Sequence, residues 1–400
     1  MLYNLLIMKS SFKKLPGSKI ELEIILDDKE FKSYWQEVYD QAIANVNLKG
    51  FRPGAAPKEL AEQAINQDKI FEEAAKKATR LSLDQVTEEN KWTLIDMPQI
   101  TLGEAASGLK YKCVITIFPE INLGNYKKIA GRVLKEKKEA AVDSSEIEKS
   151  LEWLRNSRAK LTRANREARR GDVVEADIES FVDGKPIENA RLKKDRFALG
   201  ESRLMPGFDE NLENRKEGEA LNFIITAPQD YWQKDLRGKN VEFKVKINAV
   251  FDKQLPELND DFAKGLGEFA SIEELKKSLN DGIMTEKNQK ETDRLRLKML
   301  DEIAKDSSME IPEIMIEKTL DSMAAEFKPT EELRNQLRDK ARQNVANNLI
   351  IYKIAEMEKI QPTEDEVKTF GGSVDDPKKY QYYYGVILNQ KVFKLLEDGK

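Results

Sequence analysis

The sequence predicts a multidomain α+β protein with an N-terminal α+β domain, a central antiparallel β domain and an elongated all-α C-terminal domain. Three observations predict this class. The chain has 400 residues, which is too long for one hydrophobic core, so two to four domains are expected. Apolar residues alternate with polar ones mainly between residues 171 and 253. After residue 254 they recur at helical spacing in a highly charged background.

The composition excludes several classes of chemistry. The chain has no histidine, which rules out His-based triads, HExxH zinc sites and imidazole acid–base catalysis. Its single cysteine, Cys113, excludes an internal disulfide and a cysteine-cluster metal site. A net charge of −5 argues against a basic nucleic-acid binder. With no P-loop and no G-x-S-x-G motif, hydrolase and nucleotide-driven functions get little support. We predict no metal and no cofactor.

The first domain reads as a mixture of strands and helices. Ile20, Leu22 and Ile24 alternate with glutamates, which is typical of a half-buried strand. The predicted elements are a strand at 20–24, helices over 29–48 and 58–89, and strands over 92–101 and 110–118.

A loop rich in glycine and proline interrupts this domain. It runs Gly50-Phe51-Arg52-Pro53-Gly54-Ala55-Ala56-Pro57, and two Gly with two Pro forbid a regular helix or strand there. Its tip carries one aromatic ring and one cation. Either Phe51 folds back into its own domain, or it is exposed together with Arg52 for a partner that offers phosphate or carboxylate.

From about residue 129 the chain becomes strongly charged. An S-x-x-E pattern at Ser145 and Glu148 predicts a helix that starts there and runs to about residue 167. Basic residues are dense along this segment: Arg155, Arg158, Lys160, Arg163, Arg166, Arg169 and Arg170. They form either a solvated face or a contact with RNA or an acidic partner.

The central β domain contains a second segment with candidate function. Apolar residues flank a Pro206-Gly207 break within residues 197–212. They form either a shallow aromatic pocket that suits a prolyl ring, or an ordinary β-domain core. The candidate residues are Phe197, Leu204, Met205, Phe208, Tyr231 and Phe243.

The C-terminal third carries apolar stripes at helical spacing, and six of its residues are methionines. Methionine adapts to many partners, but it also fills ordinary helix-packing cores. The candidate client-binding residues are Met315, Met323, Phe327, Leu349 and Ile350.

No run of about 20 apolar residues occurs, so no transmembrane helix is expected. The apolar start at residues 1–7 is too short for a signal peptide, and Met8 is an alternative start. We therefore expect a cytoplasmic protein.

Several motifs, in a fixed order, resemble the trigger factor family, bacterial ribosome-associated chaperones with an FKBP-type prolyl isomerase domain. Gly50-Phe51-Arg52-Pro53-Gly54 with Pro57 is similar to that family's docking signature, G-F-R-x-G-K-x-P. Leu204-Met205-Pro206-Gly207-Phe208, followed by Lys216-Glu-Gly-Glu219, is similar to the helix-entry segment of FKBP-type domains. Leu255-Pro-Glu-Leu258 resembles the family's transition into the C-terminal helices.

The resemblance implies a domain plan: a ribosome-binding α+β domain (1–128), a linker helix (129–167), an FKBP-type domain (168–253) and a helical chaperone domain (254–400). It implies an ATP-independent chaperone that binds the ribosomal large subunit near the exit tunnel, through a rim protein and rRNA. It further implies binding of nascent chains and cis/trans isomerisation of X-Pro bonds, and it leaves a weak homodimer open. The implied docking residues are Gly50, Phe51, Arg52, Pro53 and Gly54.

Several positions depart from the family pattern. Ala55 stands where the signature has lysine, so weaker docking is expected. Ile178 replaces an aromatic ring of the isomerase pocket and Glu188 replaces its aspartate, so weaker catalysis is expected. Two alternatives stay open: a non-catalytic helical holdase with a degenerate isomerase domain, and an FKBP-type isomerase that does not bind ribosomes.

Overall fold

The computed structural model describes residues 8–48, 51, 57–103, 108–187, 190–201, 204–324 and 330–399. The chain divides into two compact units. The first joins Met1–Lys138 to Thr292–Lys400, and the second is Glu139–Glu291. Each unit combines helices with antiparallel strands, and the C-terminal region is helical. The predicted multidomain α+β class is therefore confirmed.

The N-terminal part of the first unit is a four-stranded antiparallel sheet with helices against one face. Its elements and the short segments that follow are β1 (Lys9–Leu15), β2 (Lys19–Leu26), α1 (Asp28–Asn45), α2 (Lys58–Ala64), α3 (Gln67–Glu89), β3 (Gln99–Gly103), β4 (Leu109–Thr116), β5 (Ile121–Asn122) and α4 (Tyr126–Leu134). The strand order is β1-β2-β4-β3, so β1 and β3 are the two edges.

Alternation of apolar residues builds the core of this part. Leu22 of β2 lies opposite Cys113 of β4, and Ile24 lies opposite Tyr111, so all four share the face that the helices cover. The Tyr111 hydroxyl lies 2.7 Å from the hydroxyl of Ser82 on α3. This hydrogen bond satisfies both buried hydroxyls where helix and sheet meet.

The predicted helix over 58–89 is wrong in one respect, because it is two helices. α2 ends at Ala64, and Asn66 caps α3 by accepting hydrogen bonds from the N–H groups of Asp68 and Lys69. An asparagine side chain competes for backbone donors, which favours a new helix start over continuation.

The second unit is built around a six-stranded antiparallel sheet. Its elements are α5 (Ser144–Ser157), β6 (Lys160–Arg163), β7 (Val173–Val182), β8 (Lys185–Pro186), β9 (Leu192–Ala198), β10 (Ala220–Thr226), β11 (Asn240–Gln254), α6 (Asp260–Leu266) and the first part of α7 (Ile272–Asp306). β11 pairs with β10, β7 and β6, while β7 also pairs with β8 and β9. The inward residues of β7 and β11 form the core of the sheet.

The helix predicted to run to about residue 167 is wrong beyond Ser157. The chain there forms β6, which pairs with the end of β11 from Phe251 to Gln254. The predicted cap is also wrong: Asp143, with Glu146, forms the capping box of α5, two residues before the Ser145–Glu148 pair. Within the predicted linker 129–167 the structure thus places the end of α4, all of α5 and β6.

The remaining elements belong to the first unit and are mostly helical. They are β12 (Ser308–Met309), α8 (Glu313–Ala324), α9 (Glu331–Met357), α10 (Glu364–Thr369) and α11 (Pro377–Asp398). α4, the end of α7, α9 and α11 share one apolar core. β12 pairs with β5, a short strand pair that the helical pattern did not predict. The domain boundaries at residues 128, 167 and 253 stay predictions.

Candidate functional site

A tight turn positions the candidate pocket of the central β domain. The Phe208 N–H donates to the Met205 carbonyl over 3.0 Å, and Gly207 between them has a φ of +89°. Proline followed by a glycine of positive φ is the signature of a type II turn. The Pro206-Gly207 pair therefore directs Met205 and Phe208 into the domain.

Aromatic rings surround Phe208. The ring centroids of Phe197, Phe223 and Phe243 lie 5.9, 5.5 and 5.0 Å from that of Phe208, mostly in tilted or edge-on geometry. Such geometry is the favourable one for aromatic pairs. Phe208 is fully buried, whereas Phe197 and Phe223 are partly exposed. The three predicted phenylalanines thus form one cluster, to which Phe223 is an addition that the sequence analysis missed.

A surface concavity of about 460 Å³ lies beside this cluster. Three of the predicted residues, Leu204, Met205 and Tyr231, line it. The Tyr231 hydroxyl donates to the Leu204 carbonyl over 2.5 Å, which ties the two walls together. Other residues that line it are Arg170, Gly200, Pro206, Gly207, Asp209, Glu210, Pro228, Asp230 and Trp232.

Trp232 is the largest lining side chain that the candidate set lacked. It is 74% exposed, and its ring lies 5.7 Å from that of Tyr231. The sequence could have indicated Trp232, because it follows Tyr231 in a loop between two strands and an exposed tryptophan on a loop is a frequent contact residue.

A buried carboxylate supports the same concavity. Asp209 accepts a hydrogen bond from the Gly200 N–H over 2.6 Å, which joins the turn to the segment after β9. On the other side, the Arg237 guanidinium donates to the Tyr231 carbonyl over 2.6 Å. The walls are therefore held by hydrogen bonds as well as by packing.

The remaining candidate residues of this domain lie in or against its hydrophobic core, or outside the described residues. Phe243 and Ile178 are 4% and 1% exposed, and they belong to the core beneath the concavity. Phe197 packs against that core without lining the concavity. Glu188 lies outside the described residues.

The candidate docking loop is described only at Phe51 and Pro57. Phe51 is 42% exposed, and its N–H donates to the Leu48 carbonyl over 3.0 Å. The ring is therefore not folded into the core of its own domain. Gly50, Arg52, Pro53, Gly54, Ala55 and Ala56 lie outside the described residues.

Carboxylates within the second unit pair several cations of the basic segment. Arg163 binds Glu217 through two hydrogen bonds of 3.0 and 2.5 Å, and this contact lowers the pKa of the Glu217 carboxyl. Arg166 contacts both Asp172 and Asp252, at 2.5 and 2.6 Å. Hydrogen bonding to Asp172 raises the pKa of the Arg166 guanidinium. These pairs favour a structural role for the segment over RNA binding.

The candidate client-binding residues divide by burial. Met315 and Met323 are partly exposed on α8. Leu349 and Ile350 on α9 are 4% and 0% exposed, so they stabilise the helix packing and present no surface. Phe327 lies outside the described residues. Exposed apolar side chains do occur on the same helix as Leu349, at Tyr352 and Met357, which are 48% and 53% exposed.

The described part of the chain contains no cluster of three or more side chains that could hold a metal ion. None of its helices combines the length and the apolar character that crossing a membrane requires.

Comparisons with known proteins place three matches along the chain. The family model described as bacterial trigger factor protein matches residues 8–154, and that of its C-terminus matches residues 271–370. The model of FKBP-type peptidyl-prolyl cis-trans isomerase matches residues 164–248, which include the turn and the aromatic cluster.

Full-length relatives agree with these matches. The trigger factor of Caldicellulosiruptor saccharolyticus is 32% identical over 429 aligned positions, covering 98% of this chain and 97% of the relative. That of Bacillus cereus strain B4264 is 30% identical, covering 90% and 89%. A solved structure concerning promiscuous substrate recognition by the trigger factor chaperone aligns over 97% of this chain and 99% of its own, with 20% identity and a TM-score of 0.48. On the sequence matches, this chain belongs to the trigger factor family of chaperones, and it carries an FKBP-type domain.

Proposed function

We propose that this chain docks at the exit tunnel of the ribosomal large subunit, holds nascent chains without ATP, and catalyses the cis/trans isomerisation of X-Pro bonds in the cytoplasm. The observation that carries the catalytic part is the concavity beside the Phe208 cluster, within the segment that matches FKBP-type isomerases. A rim protein and rRNA are the proposed contacts on the ribosome, and a weak homodimer is proposed for the free chain.

Isomerisation needs little chemistry from the protein. The barrier to rotation about an X-Pro bond is about 18–20 kcal/mol, because the planar amide is stabilised by resonance. Twisting the bond ends the conjugation between the nitrogen lone pair and the carbonyl group, which reduces the charge separation within the amide. An apolar site therefore stabilises the twisted state more than the planar one. Leu204, Met205 and Tyr231 supply that site, with Trp232 at its edge.

A backbone donor at the site would add to this effect. Within the described residues, the Met205 N–H has no acceptor. We propose that a substrate carbonyl in the concavity accepts a hydrogen bond from it. This donor requires no titrating group, in agreement with a chain that lacks histidine.

A proline-limited refolding assay tests the catalytic part. The wild-type chain is expected to accelerate the slow phase, and Tyr231→Ala to reduce that acceleration at least about fivefold, since it removes a wall of the site and its hydrogen bond. Ile224→Ala is the matched control, because Ile224 is 65% exposed in the same domain and does not line the concavity. Equal activity of the three chains would show that the site is assigned wrongly.

A non-catalytic holdase is the second candidate function, and one observation favours it. The concavity is lined by three charged residues besides the buried Asp209, namely Arg170, Glu210 and Asp230, and Ile178 beneath it is aliphatic. A charged lining stabilises the polar, planar amide and weakens catalysis. Under this reading, the wild-type chain suppresses aggregation of an unfolded client and leaves the slow refolding phase unchanged.

Docking is tested by co-sedimentation with ribosomes. Phe51→Ala is expected to reduce pelleting several-fold, because the ring is exposed at the docking loop and would be buried by a partner. Met97→Ala is the control, since Met97 is 88% exposed in the same domain and lies outside the loop. If neither the wild-type chain nor Met97→Ala pellets, the docking proposal is wrong, and the refolding assay then separates a free isomerase from a holdase.

A further inference from the structure

An apolar groove on the N-terminal part of the first unit lies between α3 and the edge strand β3. Its volume is about 600 Å³. Its main apolar lining residues are Phe71, Leu83, Leu94, Pro98, Ile100 and Leu102. The α3 wall also carries two carboxylates and two cations, Glu72, Asp84, Lys76 and Arg80, whose charges balance. None of the residues discussed for docking, isomerisation or client binding belongs to it.

The strand register explains why the groove is apolar. Ile100 lies opposite Cys113 and Leu102 lies opposite Tyr111, so both point to the face that is buried under the helices on β4. On β3 that cover ends: Ile100 is 43% exposed, Leu102 is 55% exposed, and Phe71 across the groove is 46% exposed. The apolar face of the sheet therefore extends to β3, where the helices no longer cover it.

The outer edge of β3 is also open. All five of its residues, Gln99–Gly103, are exposed, and among the strands of the described residues it pairs with β4 alone. No hydrogen bond joins its outer edge to the rest of the described chain. The opposite edge of the sheet differs, because β1 carries Lys9, Lys13 and Lys14, whereas β3 has no charge. Lysines commonly protect a strand edge from further pairing, and β3 lacks this protection.

We propose that the outer edge of β3, with the adjoining groove, binds an extended, uncharged segment of an unfolded polypeptide as a fifth strand of the sheet. The proposal rests on the chaperone function proposed above and assigns it a second binding mode. An extended segment can pair with the N–H and C=O groups along an open strand edge and so add a strand to the sheet. Its alternate side chains would face the groove beside Ile100 and Leu102, which selects segments in which every second residue is apolar.

The test uses a fluorescent peptide in which valine alternates with threonine, with one lysine at each end. It is titrated into the full-length chain and followed by polarisation, and hydrogen exchange is measured at the amides of Gln99–Gly103. We expect binding together with slower exchange of those amides. The same peptide, N-methylated at its four central nitrogens, is expected to bind at least about tenfold more weakly, because it cannot pair with a strand.

A pair of lysine variants locates the site. Leu102→Lys replaces an apolar side chain of the groove with an additional cation and is expected to weaken peptide binding at least about fivefold. Met97→Lys adds the same charge at a residue that is 88% exposed and does not line the groove, so it is expected to bind like the wild-type chain. Both positions are exposed, so both variants are expected to fold.

Three outcomes would contradict the proposal, and each identifies a different alternative. If Leu102→Lys binds the peptide with wild-type affinity and the β3 amides are unprotected, the peptide is bound elsewhere and the inference is wrong. Protection of β3 without peptide, rising with protein concentration, would instead identify a second copy as the occupant. Protection that is lost on deleting residues 1–7 would identify the chain's own amino terminus.

Failure of this proposal can be separated from failure of the proposed function. Ribosome pelleting and proline-limited refolding are measured on the same samples of Leu102→Lys, and we expect both to match the wild-type chain. If the wild-type chain pellets and refolds its client but binds no peptide at millimolar concentration, only the fifth-strand proposal is overturned.

Discussion

At the scale of single residues, Phe208 links the sequence motif to the architecture of the central β domain. It follows the Pro206-Gly207 turn, is fully buried, and contacts three other aromatic rings. Its position in the motif suggested a residue that touches substrate. Its burial shows that it supports the concavity from below, so its removal acts on stability before it acts on any substrate.

Phe208→Ala is therefore expected to destabilise the second unit by about 3–5 kcal/mol, the range for a large aromatic side chain removed from a core. Urea unfolding of the full-length chain, followed by circular dichroism, measures this change. Trp232→Ala is the control: Trp232 is 74% exposed, and its removal is expected to change the stability by about 0.5 kcal/mol or less. An unchanged unfolding midpoint for Phe208→Ala would contradict the described packing.

Tyr231→Phe separates a positioning role from simple packing. It removes only the hydroxyl that donates to the Leu204 carbonyl over 2.5 Å. One such hydrogen bond contributes about 0.5–1.5 kcal/mol, so the isomerase kcat/KM is expected to fall about two- to tenfold. The readout is kcat/KM for peptides that differ in the residue before proline, and we expect the loss to differ from one peptide to another. A uniform loss across the peptides, or none, would show that the hydroxyl does not shape the wall at Leu204.

At the scale of elements, the strands with alternating apolar residues were predictable from the sequence. β6, which forms only by pairing with a segment far along the chain, was not. Apolar residues at every second position identified β2, β4, β7 and β11, because each buries one face. β6 has no such pattern, and its four residues are all exposed. It is a strand because β11 is long enough to pair with it. The pairing residues of β11 lie about 90 residues further along the chain, so the local sequence of β6 does not predict the strand.

The candidate site shows the same division. Residue type and the turn motif identified Leu204, Met205, Phe208 and Tyr231, which do come together. The depth of each side chain was not predictable, since Phe208 and Phe243 are core residues while Trp232 is exposed. Periodicity shows which residues share a face, but the closing of a cluster depends on every neighbouring element.

A helix cap in the first unit offers a test at this scale. Asp27 accepts a hydrogen bond from the Glu30 N–H over 2.8 Å, and Glu30 accepts one from the Asp27 N–H over 2.9 Å. Asp27→Ala is expected to reduce the free energy of unfolding by about 1 kcal/mol, whereas Asp27→Ser, which keeps a cap, is expected to retain most of it. Urea unfolding measures both. An equal loss in the two variants would attribute the effect to charge and not to capping.

At the scale of the whole molecule, the first unit holds buried groups whose pKa values are raised. In the first unit, burial raises the pKa of the Cys113 thiol to about 11, and burial with a hydrogen bond to Glu358 raises the pKa of Tyr126 to about 12. Tyr111 is raised by burial as well. Cys113, Tyr111 and Tyr126 all lie in the first unit. Alkaline pH should therefore distinguish the units.

Alkaline pH is expected to destabilise the first unit selectively. Because the folded pKa of Cys113 lies above its ordinary value of 9, the folded state binds more protons between pH 9 and 11. The stability from this group is complete below pH 9 and is lost as the pH rises towards 11. The loss at pH 10.5 is on the order of 2 kcal/mol, since each unit of pKa difference corresponds to about 1.4 kcal/mol.

Calorimetry of the full-length chain at pH 8 and pH 10.5 measures this effect, with Cys113→Ala as the matched variant. We expect the transition of the first unit to shift to lower temperature at pH 10.5 by more than that of the second unit. In Cys113→Ala the shift should be smaller by roughly the contribution of the thiol, although the variant starts from a lower stability because it leaves a small cavity. The same pH dependence in both chains would show that Cys113 ionises normally and is not buried as described.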